Sequence, residues 1–284
     1  MRIAVVHPHS IAKWVAPIQT DGLHAAFREI AKKHTVDWYL GGDLPEDKYD
    51  WILPWGVGSL PFNNTIENYK ARKALLCAGH PQDTANFEKF EAIFVESPAV
   101  YDQVRAKGFR TVLAFGTDTD MFKPMDTPKI FDAFYPATFS PWKRQEIFAQ
   151  TVKASGMACG YLQPDGGEQI QACEENKTHT MVGLVPSLLI AQLYNMSRVC
   201  LITSWHGSER TALEAMASNI PLIITSDNVL TSSLKAPEAL SVGKADLRDA
   251  FLEMLGAKVN TRDYILDKYS HHHYAKKILE VLEG

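Results

Sequence analysis

Residues 204–221 read SWHGSERTALEAMASNIP, and this stretch carries the strongest structural signal in the chain. The apolar residues before it, 199–203, have the composition of a buried strand, and residues 221–225 after it repeat that composition. Between them, Ser208 is a favourable N-cap residue, and Glu209–Ala217 is rich in good helix formers. We therefore predict a strand–turn–helix–strand unit. The N–H groups and dipole at the start of such a helix favour a bound anion, a diphosphate for example.

Short apolar runs alternate with amphipathic helical segments in both directions from this unit, a pattern typical of parallel sheets covered by helices. The first half predicts strands at 2–6, 36–40, 51–53, 74–77, 92–95 and 111–114, with helices at 17–33, 65–72 and 97–107. A polar, Pro-flanked stretch at 124–128 follows as a linker. The second half predicts strands at 130–134, 158–162, 179–182, 199–203 and 221–225, with helices at 142–154, 167–175, 187–195 and 209–217. We predict two Rossmann-like, doubly wound α/β domains, 1–124 and 125–284, facing across a ligand-binding cleft.

Composition narrows the functional class. The 284 residues are 46% hydrophobic and 22% charged, with a net charge of −4, so nucleic acid is disfavoured as a main partner. No apolar run approaches the ~20 residues that span a bilayer. Cys77, Cys159, Cys173 and Cys200 lack CxxC spacing, which indicates reduced, buried thiols and a cytoplasmic protein. The chain contains neither GxGxxG nor GxxxxGK[ST], so no dinucleotide or kinase fingerprint is present.

Three segments, in order, resemble the retaining GT-B glycosyltransferases of the large "group 1" (family 4-like) family. Residues 115–124, FGTDTDMFKP, resemble the family's N-G-V-D-T-x-x-F-x-P. Residues 181–187, MVGLVPS, are similar to F-x-G-x-V-P. Residues 204–221 are similar to S-x-x-E-G-S-x-R-T-x-L-E-A-M-A-x-G-x-P. The resemblance covers roughly residues 92–284, and the first 90 residues share only the strand–helix rhythm.

This resemblance implies a retaining transfer of sugar from a UDP- or GDP-sugar donor to an acceptor hydroxyl. The acceptor is left open as a glycan, a small molecule or a polymer, and nucleic acid enters only as modified phage-type DNA. The resemblance implies no bound metal and a last helix, about 262–284, that crosses back to the first domain. The alternative is a catalytically silent nucleotide-sugar-binding or scaffold protein.

The resemblance also assigns the donor site. Lys143 matches a lysine of the family's G-R-x-x-x-x-K loop and is expected to bind the diphosphate. Glu214 corresponds to the glutamate that holds the ribose; the competing interpretation is an i,i+4 ion pair with Arg210. The base is expected against the backbone of Gly183, Leu184 and Val185. The remaining residues expected at the diphosphate are Arg144, Gly207, Ser208, Glu209 and Arg210.

Two positions depart from the family pattern. His206 stands where the family has a glutamate that contacts the sugar hydroxyls, and Thr138 stands in place of an arginine. We expect His206 to change the donor sugar or to mark a weakened enzyme, and Arg144 to compensate for Thr138 at the phosphate. His80, which follows a strand, resembles a histidine beside the donor sugar and is equally interpretable as structural. His80, His206 and Lys143 are therefore the predicted catalytic residues.

Two apparent metal motifs are interpreted as structural. Asp118 and Asp120 form a DxD, but Asp118 is expected to cap a turn. The tract His271–His273 falls in the last amphipathic helix, where we expect a structural role. No metal site is predicted.

Overall fold

The computed structural model describes residues 1–7, 22–40, 48–56, 66, 69–78, 87–152 and 155–284. The chain divides into two compact units, the first comprising Met1–Gly116 with Ser270–Gly284, and the second Thr117–Tyr269. The domain limits predicted from the sequence, 1–124 and 125–284, stay a prediction.

The first unit contains a six-stranded parallel sheet in the order β2-β1-β3-β4-β5-β6. Helix α1 (Gly22–Ala31) packs against the C-terminal helix α10 (His271–Leu282), and α2 (Pro98–Ala106) packs against β5 and β6. The strands are β1 (Arg2–His7), β2 (Thr35–Leu40), β3 (Trp51–Gly56), β4 (Arg72–Cys77), β5 (Ala92–Val95) and β6 (Thr111–Leu113).

The second unit contains another six-stranded parallel sheet, in the order β12-β11-β10-β7-β8-β9. This is the Rossmann order, in which the direction of winding reverses between the first and fourth strands of the unit, β7 and β10. The strands are β7 (Phe131–Pro136), β8 (Gly156–Gly160), β9 (His179–Val182), β10 (Ser197–Ile202), β11 (Leu222–Thr225) and β12 (Leu240–Val242). The helices are α3 (Gln145–Thr151), α4 (Gly167–Glu175), α5 (Ser187–Asn195), α6 (Glu209–Ala217), α7 (Val229–Ser232), α8 (Leu247–Met254) and α9 (Arg262–Lys268).

The core of the second unit explains why its strands read as continuous apolar runs. Val199, Cys200, Leu201 and Ile202 of β10 are all fully buried, because helices cover both faces of the sheet. Every residue of α6 except Arg210 is also buried. The strand–turn–helix–strand unit predicted from residues 199–225 is thus confirmed as the centre of this domain.

The helices predicted at 167–175, 187–195 and 209–217 are confirmed residue for residue. The helix predicted over 65–72 is wrong for its described end, because Arg72 pairs with Trp51 and begins β4. The helix predicted from 142 begins at Gln145, since Arg144 adopts a left-handed conformation with φ 54°. The predicted last helix is two helices, because Ser270 is extended and starts α10 as its N-cap. Strand β12 and helices α7 and α8 were not predicted.

All four cysteines are buried, free thiols, as predicted. Burial raises the pKa of the Cys77, Cys159 and Cys173 thiols to about 12. Within the part of the chain that the structure describes, no helix is both long and apolar enough to cross a membrane.

Candidate functional site

Two loops of the second unit meet at the carboxyl ends of β7 and β10. The 137–144 loop follows β7, the 203–208 loop follows β10, and these strands are neighbours in the sheet. The backbone N–H of Trp205 donates to the carbonyl of Trp142 across 3.1 Å and joins the loops. Because the winding direction reverses between β7 and β10, the loops occupy the position where open α/β sheets bind ligands.

Lys143 connects these loops through its side chain. Its Nζ donates to Ser208 Oγ at 2.9 Å and lies 3.5 Å from the carbonyl oxygen of His206. A Cβ on Gly207 would lie 3.0 Å from Nζ, so the backbone passes close to the ammonium group. Burial lowers the pKa of Lys143 to about 8; Glu209 opposes this shift and Arg210 adds to it. The lysine thus donates to neutral oxygen atoms at a point where its charge is poorly hydrated.

Ser208 is the N-cap residue of α6, as predicted, but its side chain makes no cap hydrogen bond. Its φ is 78°, so it lacks the extended conformation from which an N-cap hydroxyl reaches the helix N–H groups. Ser208 Oγ instead accepts from Lys143 and lies 3.0 Å from Ser204 Oγ. Ser208 thus occupies the predicted N-cap position, but its hydroxyl binds Lys143 rather than the N–H groups of α6.

The 203–208 loop is anchored from α7. The Gly207 carbonyl accepts from Asn228 Nδ2 at 2.9 Å and from Thr231 Oγ1 at 2.6 Å. Asn228 Nδ2 also donates to Ser204 Oγ at 2.9 Å. Gly207 has a φ of 71°, which glycine adopts without strain. These bonds hold the loop through Ser204 and the Gly207 carbonyl.

Arg144 is held inside the unit. Its guanidinium donates to both carboxylate oxygens of Asp227, at 2.7 and 2.9 Å, to Thr225 Oγ1 at 2.9 Å and to the Thr203 carbonyl at 2.5 Å. The hydrogen bonds from Arg144 lower the pKa of Asp227 to about 2. Four of the five guanidinium N–H donors are thereby used within the protein. This geometry favours a positioning role for Arg144 over the predicted phosphate contact.

Glu209 opens α6 with a carboxyl group that the sequence did not mark, since only its backbone N–H is part of the predicted site. The residue is 4% exposed, and its Oε1 is a buried oxygen without a hydrogen-bond partner. Burial raises the pKa of Glu209. The carboxyl group is therefore buried at the start of α6, where its charge raises the pKa of Lys143 against the effect of burial.

Glu214 lies one turn further along α6 and is 7% exposed. Its Oε2 accepts from the Tyr194 hydroxyl at 3.3 Å. Its Oε1 lies 3.7 Å from Nε of Arg210, so the ion pair of the competing interpretation is present. The predicted ribose contact stays a prediction beside these two protein partners.

The loop after β9 lies at the same edge of the sheet, because all the strands are parallel. Gly183 has a φ of 115°, and its N–H donates to the Gly160 carbonyl at 2.8 Å. Leu184 is 43% exposed and Val185 is buried. Strand β9 is two strand positions from β7, a separation of about 10 Å. The predicted base and diphosphate sites are therefore about one nucleoside apart.

Three aromatic rings lie in the two loops of the predicted diphosphate site, and the sequence singled out only one of them, His206. The His206 ring is nearly parallel to that of Trp142, with centroids 6.1 Å apart, and lies 5.4 Å from the Trp205 ring. Trp205 is 55% exposed. An aromatic run within the turn, Trp205-His206, is the signal that sequence reasoning passed over.

The remaining predicted residues lie in other places. His80 is outside the described residues. Asp118 Oδ1 accepts from the N–H groups of Asp120 and Met121, which confirms the predicted turn cap. His271–His273 form the first turn of α10, where the Ser270 hydroxyl accepts from the His273 N–H.

No family model matches the chain, and no curated protein matches it in sequence. Solved structures do match it. S. aureus TarM, solved as a variant with fondaparinux, alpha-GlcNAc-glycerol and UDP, has a TM-score of 0.64 at 14% identity over 82% of this chain. This chain spans only 55% of TarM.

Two further structures match along their whole length. AviGT4, a glycosyltransferase involved in avilamycin A biosynthesis, has a TM-score of 0.69 at 13% identity, covering 100% of this chain and 97% of its own. A structure described as trehalose-6-phosphate from E. coli bound with UDP-2-fluoro glucose has a TM-score of 0.67 at 11% identity, covering 100% and 99%. The fold predicted from the sequence is confirmed: two parallel α/β domains of the GT-B type.

Proposed function

We propose that this protein is a glycosyltransferase that moves a sugar from a UDP- or GDP-sugar to an acceptor hydroxyl with retention of anomeric configuration. The observation that carries the proposal is the hydrogen bond from Lys143 to Ser208, which brings a cation to the start of α6 at the point where β7 and β10 end. A cation and a helix N-terminus converge there on one small volume, and both favour a diphosphate. TarM and the E. coli structure, which share the fold, are solved with UDP and UDP-2-fluoro glucose.

The donor is laid along the carboxyl edge of the second sheet. The base lies against the backbone of Gly183, Leu184 and Val185, and the diphosphate lies about 10 Å away, where β7 and β10 end. Glu214 takes the ribose. The diphosphate is bound by Lys143 and by the backbone at Gly207, Ser208, Glu209 and Arg210.

Catalysis in this proposal is electrostatic. Negative charge grows on the departing diphosphate, and Lys143 with the α6 dipole stabilises it without a metal ion. The leaving phosphate helps to remove the acceptor proton, as the resemblance to the retaining family implies. His206 contacts the donor sugar, and His80 is proposed beside it on the same resemblance. Arg144 contributes by holding the two loops together through Asp227 and Thr203.

A thermal-shift panel of UDP, GDP, ADP and CDP, together with their monophosphates and sugar conjugates, tests the donor assignment. A ligand that binds only the native state raises Tm, by an amount that grows with concentration over Kd. We expect one nucleoside diphosphate to raise Tm clearly above its monophosphate, with and without EDTA. An equal rise in Tm with every nucleotide, or no rise with any of them, would contradict the proposal.

A second candidate is a catalytically silent nucleotide-sugar-binding or scaffold protein, which the departures at His206 and Thr138 favour. Release of nucleoside diphosphate from the cognate donor, with water or a panel of hydroxyl acceptors, distinguishes the two. Binding of the donor without turnover, with every acceptor of the panel, would identify a catalytically silent protein.

Metal dependence is tested separately. Complete loss of activity in EDTA that Mg²⁺ restores would contradict the metal-free mechanism.

The buried free thiols support a cytoplasmic location as part of this proposal. A nucleic acid enters the proposal only as an acceptor, and the net charge of −4 weighs against it. A gel shift at several salt concentrations tests that acceptor class, because binding to a phosphate backbone weakens steeply with salt.

A further inference from the structure

An aromatic cluster, defined here as Trp142, Trp205 and His206, lies beside the candidate diphosphate site. The imidazole of His206 is inclined by 12° to the ring of Trp142 and by 40° to that of Trp205. The ring centroids are 6.1 and 5.4 Å apart, distances typical of interacting aromatic pairs. The hydrogen bond from the backbone N–H of Trp205 to the Trp142 carbonyl joins the 203–208 loop to the 137–144 loop.

Trp205 is exposed although its loop is held by other contacts. The residue is 55% exposed, and a tryptophan offers a large apolar area for burial. The loop that carries it is fixed by polar bonds on either side, from Asn228 to Ser204 and to Gly207. The indole is therefore presented to solvent by a loop that does not need it for packing. Exposed aromatic rings of this kind are typical of ligand sites.

The position of the aromatic cluster indicates which part of the donor contacts it. Trp142 directly precedes Lys143, and His206 directly precedes Gly207, so each ring is attached next to a predicted phosphate contact. The carbonyl oxygen of His206 is 3.5 Å from Lys143 Nζ. The loop predicted to hold the base follows β9, about 10 Å away across two strand spacings. The group that reaches the cluster is therefore the one beyond the phosphates, the donor sugar.

We propose that the aromatic cluster binds the donor sugar by stacking, with the apolar C–H face of a hexopyranose lying on the Trp205 indole. The negative face of the indole attracts the weakly positive C–H hydrogens of the sugar ring. The ring of His206 contacts both tryptophan rings and supports the platform. Stacking thus replaces the carboxylate contacts that residue 206 does not supply. This inference rests on the proposed function.

The test measures what the sugar adds to nucleotide binding. Calorimetry gives Kd for UDP and UDP-glucose, and for GDP and GDP-mannose, with the wild type and three variants. Trp205→Ala removes the indole, Trp205→Phe keeps an aromatic face, and Leu252→Ala removes an equally exposed apolar side chain from α8 as a matched control. The readout is the ratio of Kd for the nucleoside diphosphate to Kd for its sugar conjugate.

We expect Trp205→Ala to lower this ratio about 3- to 10-fold for the cognate base, the range for one lost aromatic interaction. The Kd for the nucleoside diphosphate alone stays unchanged, Trp205→Phe keeps most of the ratio, and Leu252→Ala keeps all of it. Proton NMR supplies a second readout: the sugar C–H signals of the bound donor move upfield in the ring current of the wild type, and this shift disappears in Trp205→Ala.

A ratio unchanged in Trp205→Ala, or a wild-type ratio of one, overturns the stacking proposal and leaves the nucleotide site intact. Equal weakening of both ligands also overturns it, because Trp205 would then support the loop rather than the sugar. If the wild type binds neither UDP nor GDP, the proposed function fails first and the inference fails with it.

Discussion

A serine is the N-cap residue of both α10 and α6, but the two serine side chains have different hydrogen-bond partners. Ser270, before α10, has extended backbone, and its hydroxyl accepts from the N–H of His273 at 3.2 Å. Ser208, before α6, is left-handed and turns its hydroxyl to Lys143. The first serine satisfies its own helix. The second serine contacts a cation instead, an arrangement that favours the anion site proposed above.

The largest expected effect comes from removing the cation that marks α6 as different. Lys143→Met should weaken binding of the cognate nucleoside diphosphate about 10- to 100-fold, because hydrogen bonds between charged groups are lost. It should lower kcat more than it raises the donor KM, since the charge on the leaving group is greatest in the transition state. Calorimetry and initial-rate measurements give both quantities.

Two controls make the Lys143 result specific. Lys258→Met, at an exposed lysine of the same unit, should bind nucleotide like the wild type. Lys143→Arg keeps the charge at all usable pH, whereas wild-type affinity should fall as pH rises past about 8, the depressed pKa of Lys143. Wild-type affinity in Lys143→Met would contradict the comparison between the two helix starts.

The next effect concerns the support beneath the site. Arg144→Lys loses the two-pronged contact with Asp227 and should lower the free energy of unfolding by about 1–2 kcal/mol at pH 7, a range reduced because Asp227 is half exposed. Asp227 has a folded pKa of about 2, below its ordinary value of 3.8, so its stabilisation is present above that ordinary value and disappears as pH falls through 2. Urea unfolding from pH 7 to pH 2 should therefore show the difference between the proteins shrinking in acid.

Arg198→Lys is the matched control for Arg144, since Arg198 forms a more exposed ion pair with Asp132 at 3.3 Å in the same unit. It should change stability by less than about 1 kcal/mol. Equal effects of the two substitutions, or a loss in Arg144→Lys that does not shrink between pH 7 and pH 2, would show that the Asp227 contact contributes nothing to stability.

The next effect concerns Glu214, the predicted contact of the ribose. If its carboxylate holds the ribose, wild type should prefer UDP or GDP over the 2′- or 3′-deoxy analogue, and Glu214→Gln should reduce that preference about 3- to 10-fold. Competition calorimetry measures the preference, with Glu253→Gln as an exposed control. A preference that survives in Glu214→Gln would leave Glu214 as the structural partner of Tyr194 and Arg210.

The smallest effect tests the two caps themselves. Ser270→Ala should lower the free energy of unfolding by about 1 kcal/mol, the usual loss of an N-cap hydrogen bond. Ser208→Ala removes the acceptor of the Lys143 ammonium group rather than a cap, so its loss should become smaller as pH rises through about 8, whereas the loss in Ser270→Ala should not change over that range. Urea unfolding of both variants at pH 7 and pH 9 gives the two differences directly. A loss in Ser208→Ala that does not depend on pH would contradict the assignment of its hydroxyl to Lys143.

Much of the second domain could be predicted because its signals are local. The apolar runs, the turn residues and the helix formers of 167–217 lie next to one another, and three helices there match residue for residue. The start of α3 could not be predicted in the same way. Arg144 is left-handed in a loop tied to Thr203 and Asp227, which are 59 and 83 residues away in sequence.

The candidate site likewise contains residues that local motifs mark and contacts that they do not. Lys143, Ser208 and Glu214 were marked by the resemblance to family motifs, and the structure joins the first two through the hydrogen bond from Nζ to Oγ. The stacking of Trp142 on His206 and the pairing of Arg144 with Asp227 join separate loops, and no spacing rule reports them. His80, the predicted residue of the first unit, lies outside the described residues and stays a prediction.

A crystal structure with a bound nucleoside diphosphate, beginning with UDP, tests the central claim most directly. We predict the diphosphate at the start of α6, with an oxygen of the terminal phosphate within hydrogen-bond distance of Lys143 Nζ and Arg144 still bound to Asp227. A diphosphate bound elsewhere, or held there by Arg144 with Lys143 still on Ser208, would contradict the account.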